Sequence, residues 1–182
     1  IEKLQQEILI DYKKYIEKYA PDTMCKKVLQ IWSSIPKQLS KDNKKFMYGY
    51  VDEKARAREY EPSAEWLVNH GLVRKIYRVK EGQAPLVNQV DNKAFELFHL
   101  DQGLLRHMAG LKAKRLIERT DIFSVINGSL ISQMVYAELY NNSNIGGLYY
   151  WVSGATAKVD FVFEDDGDII PVVVQDRFKP KA

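Results

Sequence analysis

The sequence has few of the residues that build covalent or metal-bound frameworks. It contains one cysteine, Cys25, and three histidines among 182 residues. A single thiol cannot form an internal disulfide or a zinc site with several cysteine ligands, which is typical of a reducing compartment. No apolar run approaches the roughly 18 residues needed to cross a bilayer, and the N-terminus does not resemble a signal peptide. These absences predict a cytoplasmic protein with no membrane partner.

Motifs for nucleotide binding and nucleophilic catalysis are also missing. The sequence contains no Gly-x-x-x-x-Gly-Lys-Ser/Thr phosphate loop and no Gly-x-Ser-x-Gly nucleophile elbow. The three histidines, His70, His99 and His107, are too far apart in sequence to suggest a pair of metal ligands. We therefore expect no catalytic residue, no metal and no cofactor in this chain.

Hydrophobic periodicity predicts a helical first half that ends in a strand. Apolar residues recur every three or four positions in several segments, as expected for amphipathic helices. Helices, a glycine at a helix end and a basic strand together are typical of a winged helix-turn-helix arrangement. The predicted elements are helices at 2–19, from Thr23 to the interruption at Ile35-Pro36, at 37–45 and at 57–70, a C-terminal cap at Gly71 and a strand at 72–79.

The second half is predicted to mix helices with strands, which makes the whole chain α+β. Asp101 is a suitable N-cap for the helix that follows it, and Asp166-Gly167 is a strong hairpin signal. The predicted elements are strands at 95–100, 148–152, 159–163 and 169–174, with helices at 102–108, 111–119 and 129–140. A polar connection near residue 90 separates the two halves.

Positive charge is concentrated in the first half. Residues 1–90 contain 17 Lys and Arg against 12 Asp and Glu, whereas residues 91–182 contain 10 against 12. A winged helix uses such side chains to contact phosphates. The alternatives are solvated helix faces and docking to another protein, because acidic residues are interleaved with the basic ones: Asp42, Asp52, Glu53, Glu59 and Glu61. The candidate nucleic-acid contacts are Lys41, Lys44, Lys45, Arg56, Arg58, Arg74 and Lys75.

Two groups of residues together resemble one known family. The first comprises 36–40, 44–46, 55–60 and 66–73, and the second comprises 100–105, 149–151, 159–162 and 169–172. In order and spacing they resemble the C-terminal region of a large uncharacterised family of prokaryotic ATPases of the AAA superfamily. The resemblance implies that this chain is a piece of a longer protein. ATP and Mg²⁺ would then belong to an upstream ATPase domain, which would also be a partner of this region.

The last domain of that family resembles a nuclease fold of the PD-(D/E)xK kind. The resemblance implies a helical, winged-helix-like segment at residues 1–90 and a restriction-endonuclease-like α/β domain, truncated at its end, at 91–182. In that fold a helix Glu, a hairpin Asp and a Glu-x-Lys hold a divalent metal. The corresponding positions are Ser132, Asp160, Val173 and Gln175, of which only Asp160 keeps a carboxylate. We therefore expect a degenerate site without metal, with Val173 buried in the core.

The favoured function is a non-catalytic docking region of an AAA-type ATPase, with nucleic acid as one candidate partner. Two alternatives stay open. One is a protein interaction scaffold, in which the basic segment meets an acidic partner or the ATPase domain. The other is a metal-dependent nuclease, which Val173 and Gln175 disfavour.

Overall fold

The structure is a computed structural model that describes residues 1–112, 128–142, 145–154 and 156–175. Its helices lie mainly in the N-terminal part and its strands mainly in the C-terminal part, so the predicted α+β class is confirmed. The helices of the described residues are α1 (Glu2–Tyr19), α2 (Asp22–Leu39), α3 (Ala57–Asn69), α4 (Gln102–Met108) and α5 (Ser129–Tyr140). The strands are β1 (Val73–Val79), β2 (Val90–His99), β3 (Tyr149–Val152), β4 (Lys158–Asp165) and β5 (Asp168–Val172).

The first two helices are in contact and are separated by a short connection at Pro21. α1 ends where Ala20 becomes extended before Pro21, a position at which the helical conformation is disfavoured. The predicted interruption of α2 at Pro36 is wrong, since the helix continues to Leu39. Pro36 removes one hydrogen bond near the helix end, while burial of Ile35 and Leu39 holds the last turn in place.

The connection between α2 and α3 is not helical at 40–45, contrary to prediction. Asn43 accepts a hydrogen bond from the Lys45 backbone N–H at 3.1 Å, which is a local alternative to helix formation. The chain then extends along β2, where the backbone N–H of Phe46 donates to the Phe95 carbonyl at 2.7 Å. The rings of Phe46 and Phe95 stack 5.4 Å apart. The connection is therefore fixed to the edge of the sheet.

Gly71 ends α3 as the sequence predicts. It has φ +67°, the left-handed conformation that favours glycine. The Leu72 N–H donates to the Leu67 carbonyl, and the Gly71 N–H donates to the Val68 carbonyl. This pair of hydrogen bonds satisfies the last carbonyls of the helix and directs the chain into β1.

The five strands form one mixed sheet in the order β2-β1-β3-β4-β5. β1 is antiparallel to β2 and parallel to β3, and the remaining pairs are antiparallel. The hairpin between β4 and β5 turns through Asp166 and Gly167, both with positive φ, as predicted. The predicted domain boundary at residue 90 coincides with the first residue of β2, which pairs with Val79 of β1.

Hydrophobic residues from both halves of the chain share one core. On the helical side of the sheet, Ile31 of α2 and Leu67 of α3 belong to the same cluster as Phe98 of β2 and Phe161 of β4. A smaller cluster around Val79, Leu86 and Val162 lies apart from it. The residues before and after position 90 therefore stabilise each other.

The cap of α4 is the one that the sequence predicts. Asp101 accepts a hydrogen bond from the Leu104 backbone N–H at 2.8 Å, and α4 occupies the predicted residues. The predicted helix at 111–119 lies outside the described residues from position 113 onwards. None of the described helices is long and apolar enough to cross a membrane.

Candidate functional site

Asp160 occupies an irregular position in β4, the strand next to the edge strand β5. Tyr149 pairs with Val162 and Trp151 pairs with Val159, so β4 has one more residue than β3 between these pairs. This β-bulge contains Asp160, and bulges re-aim the side chains that they contain. One oxygen of Asp160, Oδ2, accepts the backbone N–H of Val174 at 3.0 Å, which ties β4 to the residues just after β5.

The ammonium group of Lys44 lies between Asp160 and Ser132. It donates to Ser132 Oγ at 2.6 Å and to Asp160 Oδ1 at 3.2 Å, and the Lys44 residue is only 8% exposed. Lys44 reaches this position because the connection between α2 and α3 runs along the sheet edge. The lysine thus enters the interior from a segment that is distant in sequence from both of its partners.

A second lysine joins the same network from β4. Lys158 Nζ donates to Glu96 Oε1 at 2.8 Å and lies 3.6 Å from Asp160 Oδ1. Glu96, on β2, is 1% exposed. Burial raises the pKa of its carboxyl group, and the ammonium groups of Lys158 and Lys44 act in the opposite direction. We call Lys44, Glu96, Ser132, Lys158 and Asp160 the Lys44 cluster.

The Lys44 cluster is balanced in charge, with two lysines opposite two carboxylic acids. Lys44 contacts the Ser132 hydroxyl and the Asp160 carboxylate at the same time, which is the geometry of a hydrogen-bonded ion pair. Divalent cations require several oxygen ligands, but here an ammonium group already contacts the oxygens of Ser132 and Asp160. No group of three or more His, Cys, Asp or Glu side chains that could hold a metal occurs among the residues that the structure describes. The arrangement is suited to internal pairing.

Two of the four predicted nuclease-like positions come together, and two do not. Ser132 and Asp160 are joined through Lys44. The prediction that Val173 is buried is wrong, because its residue is 51% exposed, and Gln175 is exposed as well. The physical reason is register: the alternation of β5, which continues past its last residue, turns Val172 and Val174 toward the core, so Val173 and Gln175 face outward.

The predicted phosphate-binding residues are divided between the interior and the surface. Lys44 is a member of the buried cluster, and the side chain of Lys75 is 4% exposed and paired with Glu65. The structure therefore corrects the prediction for these two, whose ammonium groups face protein. Arg74 lies over the ring of Tyr140, and Lys45 is half-buried. The predicted phosphate-binding residues that are exposed to solvent are Lys41, Arg56 and Arg58.

Sequence reasoning missed the roles of Glu96 and Lys158. The available signal for Glu96 was its position between Phe95 and Leu97, where a charged residue interrupts an otherwise apolar strand. Charged residues are almost never fully buried without a partner, so such a residue indicates a buried ion pair. The partner could not be identified, because Lys158 lies in another strand, and β1 and β3 separate its strand from β2.

A family model described as Domain of unknown function (DUF8612) matches residues 1–115. The chain belongs to this family. The matched part contains Lys44 and Glu96, whereas Ser132, Lys158 and Asp160 follow it. No curated protein and no solved structure matches the chain.

His99 lies beside the Lys44 cluster at the end of β2 and is completely buried. Its backbone N–H donates to Gln133 Oε1 at 2.9 Å, and Gln133 Nε2 donates to the His99 carbonyl. Its ring lies 6.2 Å from that of Trp32. Burial lowers the pKa of the imidazole to about 4, so the ring is neutral at neutral pH.

The Lys44–Asp160 pair should make a large, coupled contribution to stability. Lys44→Met leaves a buried carboxylate without its closest cation, and we expect a loss of about 3 kcal/mol in the free energy of unfolding. Asp160→Asn should also destabilise, and the double variant should lose about 1–3 kcal/mol less than the sum of the single losses. Urea denaturation measures all three. The exposed Lys41→Met is the control, and equal effects at positions 41 and 44 would contradict this role.

Stability should fall as pH falls from about 6.5 to about 4, because the unfolded chain takes up a proton at His99 that the folded chain does not. The loss from this one group should reach about 3 kcal/mol at the acid end of the window. His99→Gln should flatten the curve of unfolding free energy against pH in this window, whereas the exposed His70→Gln should not. An unchanged slope in His99→Gln would show that another group causes the dependence.

Proposed function

We propose that the chain is a non-catalytic docking region of a larger ATPase of the AAA superfamily. The observation that carries the non-catalytic part is the Lys44 ammonium group between Ser132 and Asp160. A nuclease would need a hydrated divalent cation beside Asp160. The ammonium group takes the contacts that such a cation would use.

The ATPase context is supported by the sequence resemblance described above, which covers both halves of the chain. The shared sheet and core are in keeping with this context, because a region folded as one body can transmit a displacement as a unit. ATP and Mg²⁺ would act in the upstream ATPase domain of the parent protein. The chain would supply a docking surface to the parent protein, and the exposed residues of that surface would determine which partner binds.

The proposal predicts that the purified chain does not nick supercoiled plasmid DNA in Mg²⁺ or Mn²⁺. The reason is that the oxygens of Asp160 are already hydrogen-bonded to Lys44 and to the Val174 backbone. Agarose gels that separate supercoiled from open-circular plasmid provide the measurement. Nicking that disappears in Asp160→Ala would overturn the proposal, and nicking that persists in that variant would identify a contaminant.

Nucleic acid is a second candidate partner, and the observation that favours it is the exposure of Lys41, Arg56 and Arg58. Lys41 Nζ lies 5.5 Å from the centre of the exposed Tyr50 ring, so a cation and an aromatic side chain are adjacent. Lys44 and Lys75 no longer add to this surface, and Asp42, Asp52, Glu53 and Glu59 offset much of its charge. The low net positive charge of this surface therefore favours a protein partner over nucleic acid.

If this surface does contact DNA, binding should depend strongly on salt. The logarithm of the association constant should fall with the logarithm of salt concentration at a slope of about −0.9 per phosphate contacted. Arg56→Ala with Arg58→Ala should make the slope shallower by about 2, and Lys13→Ala with Lys14→Ala on α1 is the matched control. Fluorescence anisotropy with a labelled duplex measures this. Absence of binding at low salt would exclude the nucleic-acid candidate and leave the protein-docking proposal intact.

A further inference from the structure

The apolar stripe of α1 is only partly used by the fold. We define the α1 stripe as Leu4, Ile8, Tyr12, Tyr15 and Tyr19, which recur every three or four residues and so share one side of the helix. Its inner edge is covered, since Ile8 and Tyr12 are half-buried next to the fully buried Ile16. Its outer edge is open: Leu4 is 59% exposed, Tyr15 37% and Tyr19 53%.

The open edge of the stripe continues onto α3 as a set of touching rings. Tyr15 lies 4.7 Å from Tyr19 and 6.3 Å from both Trp66 and His70, and the last two rings stack at 3.9 Å. Trp66 is nearly buried and anchors the set to the core. Exposed aromatic side chains on a rigid support are typical of protein interfaces, because their burial is favourable and costs little conformational entropy.

The charges beside the open edge have opposite signs in the two halves of α1. Glu7, Asp11, Lys14 and Lys18 follow one another at spacings of four, three and four residues, so they line one side of the helix, and all are exposed. The first two are acidic and the last two are basic. Lys14 Nζ already lies 3.3 Å from Asp11 Oδ1 within one helix. An antiparallel copy of the same helix would add contacts of opposite sign, with Glu7 opposite Lys18 and Asp11 opposite Lys14 of the other copy. A parallel copy would bring like charges together.

We propose that the α1 stripe is a self-association surface, on which two copies of this chain pair their α1 helices antiparallel about a twofold axis. In this pairing, Leu4 of one copy lies against Tyr19 of the other. The twofold axis makes every contact occur twice, as in most homodimers. This pairing is independent of the proposed docking function, since it uses neither the Lys44 cluster nor the basic residues of the α2–α3 connection.

The proposed interface between two α1 helices is small, so we expect the two copies to associate weakly. α1 has 18 residues and is about 27 Å long. A single helix pair of this length buries less than the roughly 1,200 Å² that marks stable complexes. We expect a dissociation constant on the order of 10–100 μM.

Sedimentation equilibrium of the chain over a protein concentration range from about 5 to 500 μM tests the pairing. Leu4→Lys and Tyr19→Lys should each raise the dissociation constant about tenfold or more, because each buries a charge at the proposed contact. Ile10→Lys is the matched control: Ile10 is also exposed, at 45%, but lies on the opposite side of the helix. It should leave the dissociation constant within about twofold of the unaltered chain. Circular dichroism checks that each variant keeps its helices.

Charge variants test the antiparallel direction. Glu7→Lys with Asp11→Lys makes the open edge entirely basic, and Lys14→Glu with Lys18→Glu makes it entirely acidic, so each pair of changes should weaken the dimer. All four changes in one chain restore opposite signs across an antiparallel pair and should restore dimerisation. A chain that stays monomeric throughout the concentration range, an equal effect of Ile10→Lys, or no restoration by the fourfold variant would overturn the proposal.

Discussion

The pairing of one buried ammonium group with its two partners is the constraint on which much of this structure depends. Lys44 is separated from Ser132 by 88 residues and from Asp160 by 116, so three distant segments must meet before its charge is compensated. An ammonium group that has lost its water without gaining such partners costs several kcal/mol. The α2–α3 connection, α5 and β4 are therefore coupled through one side chain. If any one of these segments moved, Lys44 would lose a partner, and the free energy of the folded state would rise.

The same pairing limits what the site can do. Asp160 has one oxygen bound to Lys44 and the other to the backbone of Val174, while Lys158 connects it to Glu96. To bind a metal ion, Asp160 would have to exchange the Lys44 ammonium group for the cation, which would leave a buried charge unpaired. A role in stability and a role in hydrolysis therefore compete for the same oxygens. The proposed function therefore places the contact with partners at the surface.

Local patterns predicted much of the fold and little of the site. Some features depend only on neighbours within a few residues, so the sequence alone predicts them. They are the apolar spacing of α1, the cap at Asp101 and the turn at Asp166-Gly167. Lys44 shows the opposite case: beside Lys41 and Lys45 it looks like one more solvated lysine, and only the folded chain distinguishes it. Val173 was misjudged because three consecutive valines give no sign of which face of the strand meets the core, and the folded chain turns Val172 and Val174 inward. Pro36 was misjudged because burial of the following turn outweighs the lost hydrogen bond.

The parallel pairing of β1 with β3 bears on how the chain reaches its folded state. Tyr77 pairs with Tyr149, so β1 remains without its second neighbour until all of the chain up to β3 has been synthesised. During that interval its backbone N–H and carbonyl groups face the solvent along one side, which is an open template for pairing with another nascent chain. Contacts between residues so distant in sequence also form slowly. Protection of this strand during translation is thus a requirement that the topology itself imposes.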